Sequence, residues 1–221
     1  MTTSEGGKHM KYNFPEGVYT DVRIEHVFKT TISYLMRELQ ECKEQKYSAA
    51  FIRVYDGEMW YYASTSDLEG IQAEINELAL IAKKNPNIKD AKIFKNFSAN
   101  KDEVMAFIGR EVWAVPLDDK INLLQGAMPY LEENEYIKMW RLAYLDSNIV
   151  KEFYNSKGAD LRFDYQRAGF STSFTMIDGE NKMEGRYSKP AIAFPDLNAY
   201  ADELKEEIAE CQKFLLESEP V

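Results

Sequence analysis

Apolar and polar residues alternate from Val18 to Phe28, with Val18, Thr20, Val22, Ile24, His26 and Phe28 on one side and Tyr19, Asp21, Arg23 and Glu25 on the other. A two-residue period predicts a half-buried strand. A second extended stretch, Thr30–Leu39, follows with almost no linker, so the two read as a hairpin. Tyr47–Val54 and Met59–Ala63 form another pair around Asp56-Gly57, a dipeptide suited to the positive φ angles of a tight turn. The period then lengthens. Leu68, Ile71, Ile75, Leu78, Ala79 and Ala82 recur at spacings of three and four, which places them on one helical face. Ser66 with Glu69 reads as a capping box, Lys83 and Lys84 fall in the last turn, and Asn85-Pro86 ends the helix.

Ile88–Lys101 reads as a linker with one short extended piece, and a second unit starts near Val104. Val112–Val115 is strand-like, and a helix runs from Asp118 to between Gln125 and Leu131. Strands Tyr136–Leu145, Ile149–Tyr154 and Leu161–Ile177 follow. Asn155–Gly158 joins the last two, and Asp178-Gly179 turns the third into Lys182–Tyr187. After Pro190 and Pro195 a helix from Asp196 to Leu216 carries Leu197, Tyr200, Leu204, Ile208, Cys211 and Leu215 as its apolar stripe. The predicted class is α+β: two mostly antiparallel β-sheet units with packed helices, followed by a long C-terminal helix. Residues 1–13, polar and aperiodic, read as a disordered leader or expression remnant; 14–95 form the first unit, 96–195 the second, and 196–221 the helix.

Composition narrows the function. The 221 residues contain 27 Lys and Arg against 37 Asp and Glu, a net charge of −10 and a sequence pI near 4.9. That balance argues against direct nucleic-acid binding, which rests on clustered cations. No apolar run reaches the roughly 20 residues of a membrane span, and the amino terminus lacks a signal-peptide core. A cytoplasmic protein with no membrane partner is expected.

Candidate chemistry is sparse. His9 lies in the leader. His26 sits on the apolar face of the first strand, where a half-buried, hydrogen-bonded imidazole is the plain reading. The two have no zinc-type spacing. Cys42 lies among Glu41, Lys43 and Glu44, whose carboxylates disfavour a thiolate, and Cys211 lies on an apolar stripe. Asp118-Asp119, Glu132-Glu133 and Glu206-Glu207 read as solvated charge rather than acid/base dyads. No nucleophile elbow or phosphate loop is present. No catalytic residue, metal ligand or cofactor site is assigned. The recognition candidates are Trp60 and Tyr61 within Trp60-Tyr61-Tyr62, whose rings alternate across a strand; core packing competes for Trp60 and Tyr62.

Several segments resemble one family in order. Tyr55-Asp56-Gly57-Glu58-Met59-Trp60-Tyr61-Tyr62-Ala63-Ser64-Thr65-Ser66-Asp67-Leu68, with the helix ending Ile81-Ala82-Lys83, resembles the amino-terminal region of the TldD/PmbA metallopeptidases, also described as modulators of DNA gyrase. Val115–Lys120, Tyr154–Gly158, Ile177–Gly179 and Gly185–Tyr187 resemble that family's middle region, and Leu215–Val221 resembles its join to the catalytic domain. Two departures stand out. Tyr47-Ser48-Ala49-Ala50 replaces the family's glycines, and the His-Glu-x-x-x-His helix that with a distant cysteine forms the family's metal site is absent.

The resemblance implies the non-catalytic half of a zinc peptidase acting on peptides or unfolded proteins. Zinc would belong to the full-length protein and not to this chain, which is expected to be inactive alone. The implied partners are peptide substrate, a missing C-terminal catalytic domain and a second family member in a homo- or heterodimer. A free-standing peptide-binding adaptor with the same fold is the alternative. Exposed strand edges, Leu161–Ile177 among them, would either pair with extended peptide or be covered by the missing catalytic domain or a second subunit. The acidic surface predicts a preference for basic or neutral peptides.

Overall fold

A computed structural model describes residues 11–217. Its seven strands are β1 (Tyr19–Leu35), β2 (Glu38–Tyr55), β3 (Trp60–Thr65), β4 (Lys101–Val104), β5 (Ile137–Asn155), β6 (Asp160–Asp178) and β7 (Asn181–Ala191). The helices are α1 (Ile71–Ile81), α2 (Lys92–Asn96), α3 (Leu117–Glu132) and α4 (Ala201–Glu217). The sheet runs β3-β2-β1-β5-β6-β4, with β7 also on β6. β2–β3 and β6–β7 are antiparallel and the short β4 is parallel to β6. The α+β class with a mostly antiparallel sheet and a C-terminal helix therefore stands.

The strands are longer than the pattern predicts, for identifiable reasons. No turn forms between Phe28 and Thr30, because the inward series continues through Thr30, Ile32 and Tyr34, all buried. The chain reverses instead at Met36-Arg37, where Met36 takes φ +54° and donates its N–H to the Trp140 carbonyl at 2.9 Å. β2 then absorbs Glu38–Lys46, every residue of it exposed, so side-chain periodicity carries no strand signal there. β5 likewise runs through Asp146-Ser147-Asn148, which the sequence offers as a break. All three are buried, and Asn148 Nδ2 donates to Gln166 Oε1 at 3.1 Å.

Local signals also shift. Ser66 does not cap α1. Thr65 Oγ1 accepts from Asp67 N–H and Asp67 Oδ1 from Glu69 N–H, and the helix begins after Gly70 with no side-chain cap. It ends at Ile81, before Lys83 and Lys84, because Lys83 N–H turns to Asp56 Oδ2 and Asn85 N–H to the Gly17 carbonyl. Val112–Ala114 is a 3-10 turn rather than a strand, its first N–H held by Gln166 Oε1 at 2.8 Å. Another 3-10 stretch, Phe194–Tyr200, precedes α4 where the apolar stripe predicts a regular helix from Asp196.

The chain divides into two compact units, and β1, β2, β5 and β6 each contribute residues to both. The first takes the chain up to His26, Tyr47–Ala106 and Ile149–Asp164. There Ile71, Ile75 and Leu78 of α1 pack on Val22, Ile24, Ile52 and Val54. On the other side Tyr19, Tyr55 and Ile88 pack with Trp60, Phe94 and Phe97. Of the leader expected over 1–13, residues 1–10, His9 included, lie outside the described residues. Lys11–Asn13 are in place: Tyr12 is buried against Tyr154, and Asn13 N–H donates to Gln72 Oε1 at 2.9 Å.

The second unit takes Val27–Lys46, Phe107–Asn148 and the chain from Tyr165. Leu124, Ala127 and Leu131 of α3 and Leu204, Ile208 and Cys211 of α4 cover Trp140, Leu142, Phe170, Phe174 and Met176. Each large side chain so buried contributes about 1.5–3 kcal/mol. The last join residues, Ser218–Val221, lie outside the described residues. Among the described residues no helix is long and apolar enough to cross a membrane.

Candidate functional site

The Asp56-Gly57 turn sets the geometry of the aromatic strand. Gly57 takes φ +108°, and the Asp56 carboxylate accepts four bonds: Glu58 and Met59 N–H on Oδ1 at 2.9 and 2.8 Å, Tyr61 OH and Lys83 N–H on Oδ2 at 3.0 and 3.2 Å. Burial alone would raise the Asp56 pKa. The four donors outweigh it and hold the carboxyl at about 2, so the turn is anchored by a charge.

From that turn the register follows: Tyr55 faces Trp60, Arg53 faces Tyr62 and Phe51 faces Ser64. Trp60 and Tyr62 share one side and Tyr61 takes the other. Trp60 is half-buried, 4.8 Å from the Tyr55 ring and edge-on to Tyr19, with the Arg53 guanidinium 4.8 Å from its centroid. Arg53 is held by the fully buried Asp21, with Nε 2.9 Å from Oδ1 and Nη2 2.5 Å from Oδ2. Tyr62 is 55% exposed and stacks on exposed Phe51 at 5.7 Å. Trp60 and Tyr62 therefore lie together, whereas Tyr61 reaches across to Asp56 and packs with the α1 core. The sequence reading missed Phe51 and Arg53 as their companions; the hairpin register around Asp56-Gly57 was the signal for both.

His26 is hydrogen-bonded, as its place on the strand suggested. Its Nδ1 lies 2.8 Å from Ser48 Oγ and its Nε2 3.2 Å from Glu152 Oε1. Glu152 also takes Lys11 Nζ at 2.5 Å and Tyr154 OH at 2.8 Å. Burial pushes the Glu152 carboxyl up, but Lys11, Tyr154 and His26 outweigh it and hold it below the ordinary range. This is a closed polar cluster on the strands, with both imidazole nitrogens engaged.

Among the described residues no three His, Cys, Asp or Glu side chains converge to hold a metal ion. Cys42 is exposed on β2, and Cys211 is buried in α4, where burial and the nearby Glu207 push its thiol up to about 11. The acidic pairs serve locally: Asp118 and Asp119 lie in the first turn of α3, and Glu132 accepts both Nε and Nη2 of Arg37.

The second unit holds a network that composition did not reveal. Lys120 of α3 is fully buried, 2.8 Å from Asp146 Oδ2 and 2.9 Å from Thr30 Oγ1, with Glu44 at 3.8 Å. Asp146 also accepts Thr30 N–H and Tyr144 OH, at 2.9 and 2.6 Å. Burial, followed by the Asp146 charge, pushes the Tyr144 phenol well above its usual range. Lys120 reads in the sequence as an ordinary polar position of a helix, so only the tertiary contact reveals it.

Comparison with known proteins follows this architecture. Residues 20–85 match the model of PmbA/TldA metallopeptidase domain 1, and residues 110–211 match the PmbA/TldA metallopeptidase central domain; together they take in well over half of the chain. No curated protein matches the chain. Among solved structures, a proposed modulator of DNA gyrase from Thermotoga maritima superposes with a TM-score of 0.74 at 18% identity, over 93% of this chain and 46% of its own. Another, from Bacteroides thetaiotaomicron, gives 0.64 at 14%, over 91% and 47%. TldE from Thermococcus kodakarensis gives 0.65 at 15%, over 88% and 44%. The chain thus spans less than half the length of each.

Proposed function

The chain belongs to the PmbA/TldD metallopeptidase family, and from that premise we propose that it forms the part of a cytoplasmic peptidase that holds and encloses peptide or unfolded protein. It also pairs the protomer with a second family member. The zinc and the hydrolytic step belong to other sequence of such a peptidase.

The observation that carries this reading is β3. It ends the sheet order and pairs with β2 on one side, so its other edge has no strand beside it among the described residues. Edge N–H and C=O groups are a template for an extended chain, and main-chain pairing is indifferent to sequence. Trp60 and Tyr62, with Phe51 stacked behind, offer apolar contact to alternate side chains of the incoming strand. The edge of Leu161–Ile177 cannot serve in this way, because β6 lies between β5 on one side and β7 and β4 on the other.

Fluorescence anisotropy of a labelled unstructured peptide tests the reading. Saturable binding is expected, weakened several-fold by Tyr62→Ala, a change at an exposed ring that leaves the fold intact. No binding at millimolar peptide overturns it.

A further inference from the structure

The sheet of the second unit has two unlike faces. One is the apolar floor beneath α3 and α4. The intervening residues lie on the other face and are mixed: Arg141 on β5, Arg167, Ser171 and Ser173 on β6, and Arg186 and Ser188 on β7 stand among exposed Met139, Leu145 and Ile177. Ser173 lies opposite Arg186, and Ser171 opposite Ser188. Thr172 Oγ1 donates to the Arg141 carbonyl at 2.7 Å, and Arg141, Ser173 and Arg186 line one depression, which places them side by side on β5, β6 and β7. Arg141, Ser173 and Arg186 therefore form one row across three strands. With strands about 4.8 Å apart, the two arginines stand roughly 10 Å apart at their bases, with a hydroxyl between them.

Shallow depressions run along this face. Arg141, Ser173 and Arg186 line two that overlap, and Lys29 and Arg167 line a third. Among the described residues Lys29, Arg141 and Arg186 form no ion pair, and Arg167 Nε donates to Ser147 Oγ at 3.3 Å. Two carboxylates line these depressions: Asp146, fully buried and held by Lys120, and Glu184, paired with Lys182 at 2.8 Å and drawn below its ordinary range by Lys182 first and by Arg186 as well. Three exposed arginines and the half-buried Lys29 thus line this face in a chain of net charge −10. The acidic excess lies elsewhere, for example on α4, with Asp202, Glu203, Glu206, Glu207, Glu210 and Glu217.

We propose that this face docks acidic stretches of peptide, with carboxylates on Arg141 and Arg186 and main-chain groups on Ser171, Ser173 and Ser188. Arginine suits this role because its planar fork matches a carboxylate, and hydroxyls serve an amide N–H or a C=O equally. The whole-chain charge predicts a preference for basic or neutral peptides; the local field at this face favours acidic ones. The inference rests on the peptide-holding reading and gives it a substrate class.

Two unstructured peptides of equal length, one Glu-rich and one Lys-rich, are titrated into the full chain by anisotropy at low and high salt. The Glu-rich peptide is expected to bind about ten times more tightly at low salt, a difference of about 1.4 kcal/mol. High salt and the double variant Arg141→Ser/Arg186→Ser are each expected to erase that preference, while Tyr62→Ala weakens both peptides alike. Equal binding, tighter binding of the Lys-rich peptide, or an acidic preference that survives the double variant overturns the proposal and leaves the peptide-holding reading standing. Failure of both peptides to bind overturns both. A concentration-dependent dimer dissociated by the double variant, with peptide affinities unchanged, assigns the face to a second copy instead.

Discussion

Removing the Asp146 carboxylate tests the buried network of the second unit. Asp146 and Lys120 side chains are both fully buried and 2.8 Å apart. Asp146→Ala strands three donors at once: the Lys120 ammonium, Thr30 N–H and Tyr144 OH. An ammonium left buried without its partner costs about 3–5 kcal/mol. Glu44, at 3.8 Å and partly exposed, screens part of that charge, and Thr30 Oγ1 still accepts from Lys120. A loss of about 3–4 kcal/mol is therefore expected. Lys120→Met is milder, because Asp146 keeps its bonds from Thr30 and Tyr144, and the Phe28 and Tyr144 rings around Lys120 accept an apolar chain. The pair Lys120→Met/Asp146→Asn removes both charges, keeps an amide oxygen to accept Thr30 N–H and turns an amide N–H towards the Tyr144 hydroxyl oxygen, and should recover at least half of the Asp146→Ala loss. Urea unfolding followed by tryptophan fluorescence measures all three, with buried Trp140 reporting on this unit. A cost below about 1 kcal/mol for Asp146→Ala, within reach of an ordinary surface change, would refute the reasoning.

Two further outcomes follow from local geometry. Asp56 has its pKa lowered from 3.8 to about 2, so its stabilisation is complete above the unfolded value and fades as pH falls through 2. Asp56→Ala should cost about 2 kcal/mol at neutral pH, and the gap from the parent in pH-resolved melts should close between about pH 4 and 2; a gap independent of pH contradicts the anchoring role. Gly185 faces the α4 core, where an added Cβ would lie 2.3 Å from the Phe174 ring and 2.8 Å from Cys211 Sγ. Gly185→Ala should cost about 1–3 kcal/mol through overpacking, and a neutral urea midpoint would show that Phe174 can move aside.

What the sequence disclosed depended on whether a signal was local. The Asp56-Gly57 turn, the α1 stripe and the Asp178-Gly179 hairpin were legible because turn chemistry and period act within a few residues. The unbroken runs of β1 and β5 were not. Lys29 and Asp146 to Asn148 look polar enough for breaks, and the hydrogen bonds of Thr30 and Asn148 to distant partners hold these stretches inside their strands. The Ser66 cap failed for a related reason, since Thr65 and Asp67 form competing turns. At the candidate site, Trp60 and Tyr61 were visible as an aromatic cluster. The company of Phe51 and Arg53 needed the strand register, and the row of Arg141, Ser173 and Arg186 joins residues from three strands that no spacing rule connects.

The central claim is that the free edge of β3 receives extended peptide, and amide chemical shifts of the isotope-labelled chain measure it most directly. Titration with an unstructured peptide should shift the Trp60–Thr65 amides and slow their hydrogen exchange, leaving α1 and α4 unchanged. Unmoved Trp60–Thr65 amides with saturating shifts elsewhere, or no shifts at millimolar peptide, would contradict the account.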